Sequence, residues 1–260
     1  MSTPRNTSLQ AFNLAVWTFL KNPSHLIPNL TIPTFVQLPE QLGPHLYPQS
    51  QLQSESQQGE VKQQQQHPTI RALVLDKDNT LCPPKTIEFP KPYLEKLHSL
   101  RTSPTSPFHK DRAPNSILIV SNRAGSDPNK PIYEAEALDL EAKLAELRIP
   151  VFRLPAEAPG KKPFCGAEVL AWFRERGVVE RADEIAVVGD RLGTDVLMAV
   201  GMGAWSVWCK DGVTEGVGKD AGKQGMDYRG FLAKMEIAVE KYLRERKRLK
   251  APLPKGWEGR

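Results

Sequence analysis

Two aspartates stand two residues apart in Asp76-Lys77-Asp78-Asn79-Thr80, directly behind the apolar run 70–75 (IRALVL). On one tight loop such a pair can divide labour: one carboxylate attacks phosphorus and the other handles protons. Two like charges this close repel, so a cation must sit among them or one must hold a proton. Mg²⁺ suits such a place, because it takes oxygen ligands and usually keeps several waters. Three further polar groups follow along the chain. Ser121-Asn122-Arg123 offers a hydroxyl and backbone N–H groups to phosphate oxygens. Lys161-Lys162-Pro163 offers an ammonium that can neutralise phosphate and nucleophile charge. In Gly189-Asp190-Arg191-Leu192-Gly193-Thr194-Asp195 the first aspartate suits a metal ligand, and the two glycines let the backbone turn closely past a site.

The elements that must position these groups alternate between strand and helix. Short, mostly apolar runs at 70–75, 116–120 (SILIV), 150–154 (PVFRL), 184–188 (EIAVV) and 204–209 (AWSVWC) read as buried parallel strands. Helical patterns lie between them at 90–100, 132–147, 164–176 (closed by Gly177, a plausible C-cap), and 194–200, with a long last helix at 227–250. The order implies an α/β domain whose parallel sheet is covered on both faces. Ligands of such sheets bind beyond the carboxyl ends of the strands, where the four polar groups stand.

DxDxT after an apolar strand, then Ser, then Lys, then GDxxxTD, in this order, resembles the haloacid-dehalogenase (HAD) phosphatases of subfamily IIIA. The likeness covers roughly residues 69–215. The finer wording DKDNTL, VSNRAG, KKP and VVGDRLGTDVLMA, with NPSHLIPNLTIPTFVQLP near the start, is similar to the branch of mitochondrial phosphatidylglycerophosphatases of fungi and plants. The resemblance implies an HAD-like three-layer domain of Rossmann type with a minimal cap or none. It implies Asp76 as nucleophile, Asp78 as general acid and then base, and Mg²⁺ held by Asp76, the backbone carbonyl of Asp78, and Asp190. Ser121 would hydrogen-bond a phosphate oxygen. Lys162 would balance charge; it directly precedes proline as the family's lysine does, and Lys161 is the alternative. Asp195 would support the metal shell or orient the lysine, while Lys77, Asn79, Thr80 and Asn122 would shape or support the phosphate site. Arg123 and Arg191 are not expected to be catalytic; either could bind a second phosphate or form a surface ion pair. The implied substrate is phosphatidylglycerophosphate, dephosphorylated to phosphatidylglycerol for cardiolipin synthesis. The alternative is a small phosphorylated metabolite or a phosphoprotein. The implied place is the matrix face of the mitochondrial inner membrane.

Composition sets the frame around this core. The chain has 260 residues, 40% hydrophobic and 25% charged, enough for a full core in one to two domains. No apolar run approaches the ~20 residues of a spanning helix. Three scattered cysteines (Cys82, Cys165, Cys209) form no CxxC pair, which disfavours a disulfide scaffold or a zinc ribbon. Residues 1–48 read as an arm. They hold no Asp or Glu before Glu40, and Leu9, Phe12, Val16, Phe19 and Leu20 share one helical face suited to a membrane interface, the alternative being that the helix packs on the domain. The proline-spaced stretch 28–39 reads as an extended, docked segment. Residues 49–66, rich in Gln and Ser, read as a disordered linker, residues 67–240 as the phosphatase domain, and residues 241–260 as a basic tail. That tail carries eight Lys/Arg against two Asp/Glu, a net of +6 out of the chain's +5, which leaves −1 elsewhere. It could meet an anionic membrane. Trp257 and Tyr242 could also stack on bases, but no nucleic-acid motif accompanies them and no nucleic-acid partner is expected. No residue pattern specifies an oligomeric state. Only about thirty-five residues separate Thr80 from Ser116, and about one helix separates Asn122 from Pro150, so neither gap holds a cap domain and an open site is expected.

Overall fold

The computed structural model describes residues 7–47 and 67–257, and the Gln-rich stretch 49–66 lies outside the described residues. In chain order the elements are α1 (Thr7–Lys21), β1 (Leu30–Ile32), α2 (Gly43–Leu46), β2 (Ala72–Leu75), α3 (Lys91–Thr102), β3 (Ile117–Ile119), α4 (Pro131–Lys143), α5 (Gly166–Glu175), β4 (Ile185–Gly189), α6 (Leu197–Met202), β5 (Trp205–Cys209) and α7 (Phe231–Lys241). Strands β2 to β5 are buried at every position, as expected for parallel strands that carry helices on both faces. They form one parallel sheet in the order β1-β5-β4-β2-β3.

Alternation along the strands feeds two cores. Leu73, Leu75, Ile119, Val188 and Val207 face Tyr93 and Leu97 of α3 and Leu140 of α4. Val74, Leu118, Val120 and Val187 face Val169 and Phe173 of α5 and Met198 of α6. The result is an α/β domain of three layers. At the centre, Leu75 pairs with Val188 on one side and Ile119 on the other, which brings three strand ends level. The Pro/Ser-rich loop after α3 is pinned by Arg101. This fully buried guanidinium donates to the Leu147 carbonyl (2.8 Å), the Phe108 carbonyl (2.7 Å) and Ser116 Oγ (3.0 Å).

Two expectations about elements are corrected, and one about a side chain. The run 150–154 is not a strand: it makes a single bridge, Val151 with Ile119, before Leu154 N turns away to the Gly125 carbonyl (2.8 Å). Pro150 has no N–H, and the segment leaves the sheet after one pairing. The edge place is filled from the arm, where Leu30–Ile32 pairs with Val207–Cys209. The proline-spaced stretch is thus docked as expected, and its Phe35 and Leu38 sit in the main core. The last helix is also shorter than its pattern: α7 covers Phe231–Lys241, and one wide turn, Tyr242–Arg246, follows. The closely spaced cations from Arg244 to Lys250 repel one another along a helix. The chain instead folds back, and Leu249 N donates to the Leu243 carbonyl (3.1 Å). Trp257, expected as a possible stacking group, packs edge-on against Trp205 at 5.7 Å and Tyr47 at 6.4 Å.

Helix α1 packs on the body through its small residues. Ala11 and Thr18 are buried, and Ala15 joins the cluster of Leu192, Val196 and Trp208. Its large apolar residues, Leu9, Phe12, Val16, Trp17 and Leu20, stay exposed, as do Phe231, Leu232 and Met235 of α7. Among the described residues no helix is long and apolar enough to cross a membrane.

Candidate active site

Asp76 leaves β2 with its N–H still bonded to the Val188 carbonyl (2.9 Å), so the sheet fixes its position. The chain then closes a tight loop. Thr80, Leu81 and Cys82 N–H groups all turn back to the Lys77 carbonyl, and Asn79 takes a left-handed φ of 60°. This φ suits Asn because its side chain replaces lost backbone bonds. Asn79 Nδ2 donates to Asp190 Oδ2 (2.8 Å), and Asn79 Oδ1 accepts the Val213 N–H (3.2 Å). Thr80 Oγ1 lies 3.4 Å from Asp76 Oδ2. Lys77 turns away from the phosphate side: its Nζ donates to the Thr86 carbonyl (2.9 Å) and pairs with Glu136 and with Asp78. The Asp78 carboxylate also accepts the Lys85 N–H (2.7 Å) and stays partly exposed.

The other strand ends converge on Asp76. Lys162, buried, pairs with Asp76 Oδ1 and with Asp195 Oδ1 (2.7 Å). Its neighbour Lys161 takes another path, donating to the Asn122 carbonyl (3.0 Å). Of the two lysines, the one preceding proline is the one that reaches Asp76. Asp195 Oδ2 accepts the Arg191 N–H (3.1 Å) and the Thr194 hydroxyl (3.3 Å). Gly189 is required here, since a Cβ at that position would lie 2.2 Å from Asp195 Cγ. Ser121, buried just past β3, accepts the Arg123 N–H on its Oγ (3.0 Å). Asn122 lines a neighbouring cavity.

One carboxylate oxygen from each of Asp76, Asp190 and Asp195 lies within 4.8 Å of the other two. All three residues are buried. Burial pushes the Asp76 carboxyl up to about 7, with Lys162 pulling it down and Asp195 raising it further. Burial, then Asp76 and Asp195, also hold Asp190 well above the usual carboxylate range, against the Asn79 hydrogen bond. Burial depresses the Lys162 ammonium, but Asp195 and Asp76 outweigh it and hold that group above its ordinary value. One ammonium cannot neutralise three desolvated carboxylates. The donor set is all oxygen and short of positive charge, which fits a hard divalent cation such as Mg²⁺.

Several supporting residues carry no motif. Glu236 on α7 accepts the Leu192 and Gly193 N–H groups (3.1 Å each) and pairs with Arg191 Nε (3.0 Å), so it fixes the loop between Asp190 and Asp195. Glu136 on α4 holds both Lys77 and Arg123. Tyr93 Oη donates to the Gly212 carbonyl (3.2 Å) and accepts the Thr214 N–H (3.1 Å). Each is a single polar residue on an otherwise ordinary helix. Only the Asp211-Gly212 turn gave a local signal, and that signal did not name its target.

A cavity of about 620 Å³ runs between α1 and α7 to this site. Phe12, Val16, Phe19, Leu232 and Met235 line its outer part, while Asn122, Tyr133, Lys161, Lys162 and Arg191 line the rest. No cap domain covers the site among the described residues.

A family described as mitochondrial PGP phosphatase matches residues 9–214. The mitochondrial phosphatidylglycerophosphatase of Saccharomyces cerevisiae is 38% identical over 147 residues, 56% of this chain and 70% of that protein. A Schizosaccharomyces pombe protein named "Probable phosphatidylglycerophosphatase, mitochondrial" is 30% identical over 145 residues, 55% of this chain and 61% of its own length. A crystal structure from Mesorhizobium loti, described as an HAD-like phosphatase, superposes with a TM-score of 0.37 at 18% identity, covering 67% of this chain and 88% of that one.

Proposed function

Since the chain belongs to the mitochondrial PGP phosphatase family, we propose that it hydrolyses the terminal phosphomonoester of phosphatidylglycerophosphate to give phosphatidylglycerol. The observation that carries this reading is the meeting of Asp76, Asp190, Asp195 and Lys162 beyond the strand ends.

Asp76 would attack phosphorus with a carboxylate oxygen, and the P–O bond to the glycerol would break as the aspartyl-phosphate forms. Asp78 would give its proton to the leaving oxygen. Asp78 would then take a proton from water as that water attacks the aspartyl-phosphate, releasing phosphate and restoring Asp76. Lys162 holds Asp76 in place and offsets the charge that gathers there. Asp195 positions Lys162, and the Ser121 hydroxyl and the Asn122 N–H would donate to the phosphoryl oxygens. Mg²⁺, held by Asp76, the Asp78 carbonyl and Asp190, with Asp195 beside them, would supply Lewis-acid stabilisation of phosphoryl charge. Asn79 orients Asp190 for that task.

We place the enzyme on the matrix face of the inner membrane as a peripheral protein. What supports this is the open site, the apolar faces of α1 and α7 at its mouth, the basic tail, and the mitochondrial location in the names of both fungal relatives. The test is phosphate release from phosphatidylglycerophosphate vesicles with Mg²⁺, against a panel of soluble phosphoesters and phosphopeptides. Turnover of the lipid well above the panel is expected, and preference for a soluble phosphoester would overturn the lipid assignment.

A further inference from the structure

Three cations surround the ring of Tyr133: Lys161, which lines the α1–α7 cavity with it, and the more exposed Lys130 and Arg123 beside that wall. Lys161 Nζ lies 4.7 Å from the centre of the Tyr133 ring, Lys130 Nζ 5.2 Å and Arg123 Cζ 5.5 Å. Tyr133 and Lys161 share the cavity wall with Lys162. Two carboxylates oppose the three charges: Glu136 pairs with Arg123, and Asp127 lies 3.5 Å from Lys130. Lys161 has no ion-pair partner among the described residues, and its one hydrogen bond goes to the Asn122 carbonyl. Partial desolvation pulls the Lys161 ammonium below its ordinary value, and Lys130 and Arg123 lower it further against Asp127. Helix α4 begins here at Pro131, and the positive end of its dipole adds to the same field. The ring's face attracts each cation, but it does not cancel their mutual repulsion. A bound anion would.

The substrate assigned above carries a second anion. A glycerol bridge joins its terminal phosphomonoester to a phosphodiester, so two phosphates must be seated side by side. Adjacent lysines whose side chains diverge, Lys162 to Asp76 and Lys161 to Tyr133, offer one ammonium to each.

We propose that Lys161, Lys130 and Arg123, gathered around Tyr133, form a second anion subsite that holds the phosphodiester while the terminal phosphate sits at Asp76. This subsite rests on the phosphatidylglycerophosphate reading. It makes the enzyme selective for phosphomonoesters that carry another phosphate one glycerol away. The lipid tail then points along the apolar part of the same cavity.

The test compares kcat/KM for dioctanoyl phosphatidylglycerophosphate, kept below its micelle threshold, with that for glycerol 3-phosphate, which lacks the second phosphate. A soluble lipid keeps membrane attraction out of the measurement. Lys161→Met and Lys130→Met should each lower the ratio of the two values about tenfold, the effect of losing one charge-assisted contact. The double variant should lower it further, and Lys161→Arg should hold it within about threefold. Equal loss on both substrates, or an unchanged ratio, overturns the subsite while the lipid reading stands. A wild-type enzyme that cleaves glycerol 3-phosphate but leaves the lipid intact overturns the lipid reading, and the subsite falls with it.

Discussion

Asn79 and Asp190 meet across the sheet: the Asn79 amide donates to Asp190 Oδ2 at 2.8 Å. The same side chain accepts the Val213 N–H, so it ties two strand ends to the loop after β5. Gly212 leaves the room this needs. Its φ is +66°, and a Cβ there would lie 2.2 Å from Asn79 Nδ2. Gly212→Ala should therefore displace Asn79, lowering stability by about 1–3 kcal/mol and kcat/KM at least about tenfold. Gly177→Ala is the control: its φ is +64° with nothing within 4 Å. It should cost about 1 kcal/mol and leave turnover unchanged. Thermal melts and steady-state kinetics on both variants decide whether the contact or the backbone strain matters.

Asp76→Asn should lower kcat by at least about three orders of magnitude, because the amide is not a nucleophile toward phosphorus. The variant should stay folded, since it removes one of three crowded buried carboxylates and Asp195 still pairs with Lys162. Circular dichroism and phosphate release test both halves. Full activity would remove Asp76 from the role of nucleophile.

The two adjacent lysines should separate in stability. Lys162→Met strands Asp76 and Asp195 without their shared buried cation and should cost about 3–5 kcal/mol. Lys161→Met removes a half-buried ammonium held by one carbonyl and should cost under about 1 kcal/mol. Denaturant melts of the two variants give the difference, and similar midpoints would contradict the geometry of the pair.

Chelation should stop turnover and Mg²⁺ should restore it. Stability offers a second readout through pH. The Asp76 carboxyl is raised from 3.8 to about 7 in the fold. A raised carboxyl binds more protons in the native state than in the unfolded state between those values. Its contribution to stability is therefore present below pH about 4 and is lost as pH rises through about 7. A divalent cation binds the ionised form, so the rise in Tm on adding Mg²⁺ should grow across that window. Calorimetry with EDTA or Mg²⁺ at both ends measures it. An equal rise at both ends would count against a cation on Asp76.

Vesicle binding should depend on the outward face of α1. Trp17 and Leu20 are 64% and 69% exposed while Ala11 and Thr18 on the opposite face are buried. Replacing Trp17 and Leu20 with Ser should lower flotation with anionic liposomes at least about tenfold, since each buried apolar side chain contributes about 1.5–3 kcal/mol. High salt should weaken what remains. Wild-type protein that never floats would argue against peripheral docking.

The order of the chemistry was legible in the sequence because its signals are local. An apolar run of strand length marks where a strand ends, and the residues just past it must lie at the sheet's carboxyl edge. Asp76, Ser121 and Asp190 were placed that way, and burial of β2, β3 and β4 on both faces followed from their composition. Pairing across the chain was not local, and there the tertiary structure decided. Residues 150–154 have the composition of a strand, yet after the Phe152 N–H bonds to the Ile119 carbonyl the next backbone bond, from Leu154, goes to a loop. The edge position went to Leu30–Ile32, since an edge strand is chosen by what docks beside β5 and not by its own pattern. Glu136 and Glu236 read as solvated helix charges until packing turns them onto Lys77 and onto the 192–193 backbone. Spacing likewise could not tell how far Lys161 and Lys162 diverge, because two neighbouring side chains are separated only by the surfaces that receive them. Local pattern alone assigns which groups stand at the strand ends. The folded chain decided which of them share a charge, because Coulomb and hydrogen-bond energies depend on distances that only long-range packing sets.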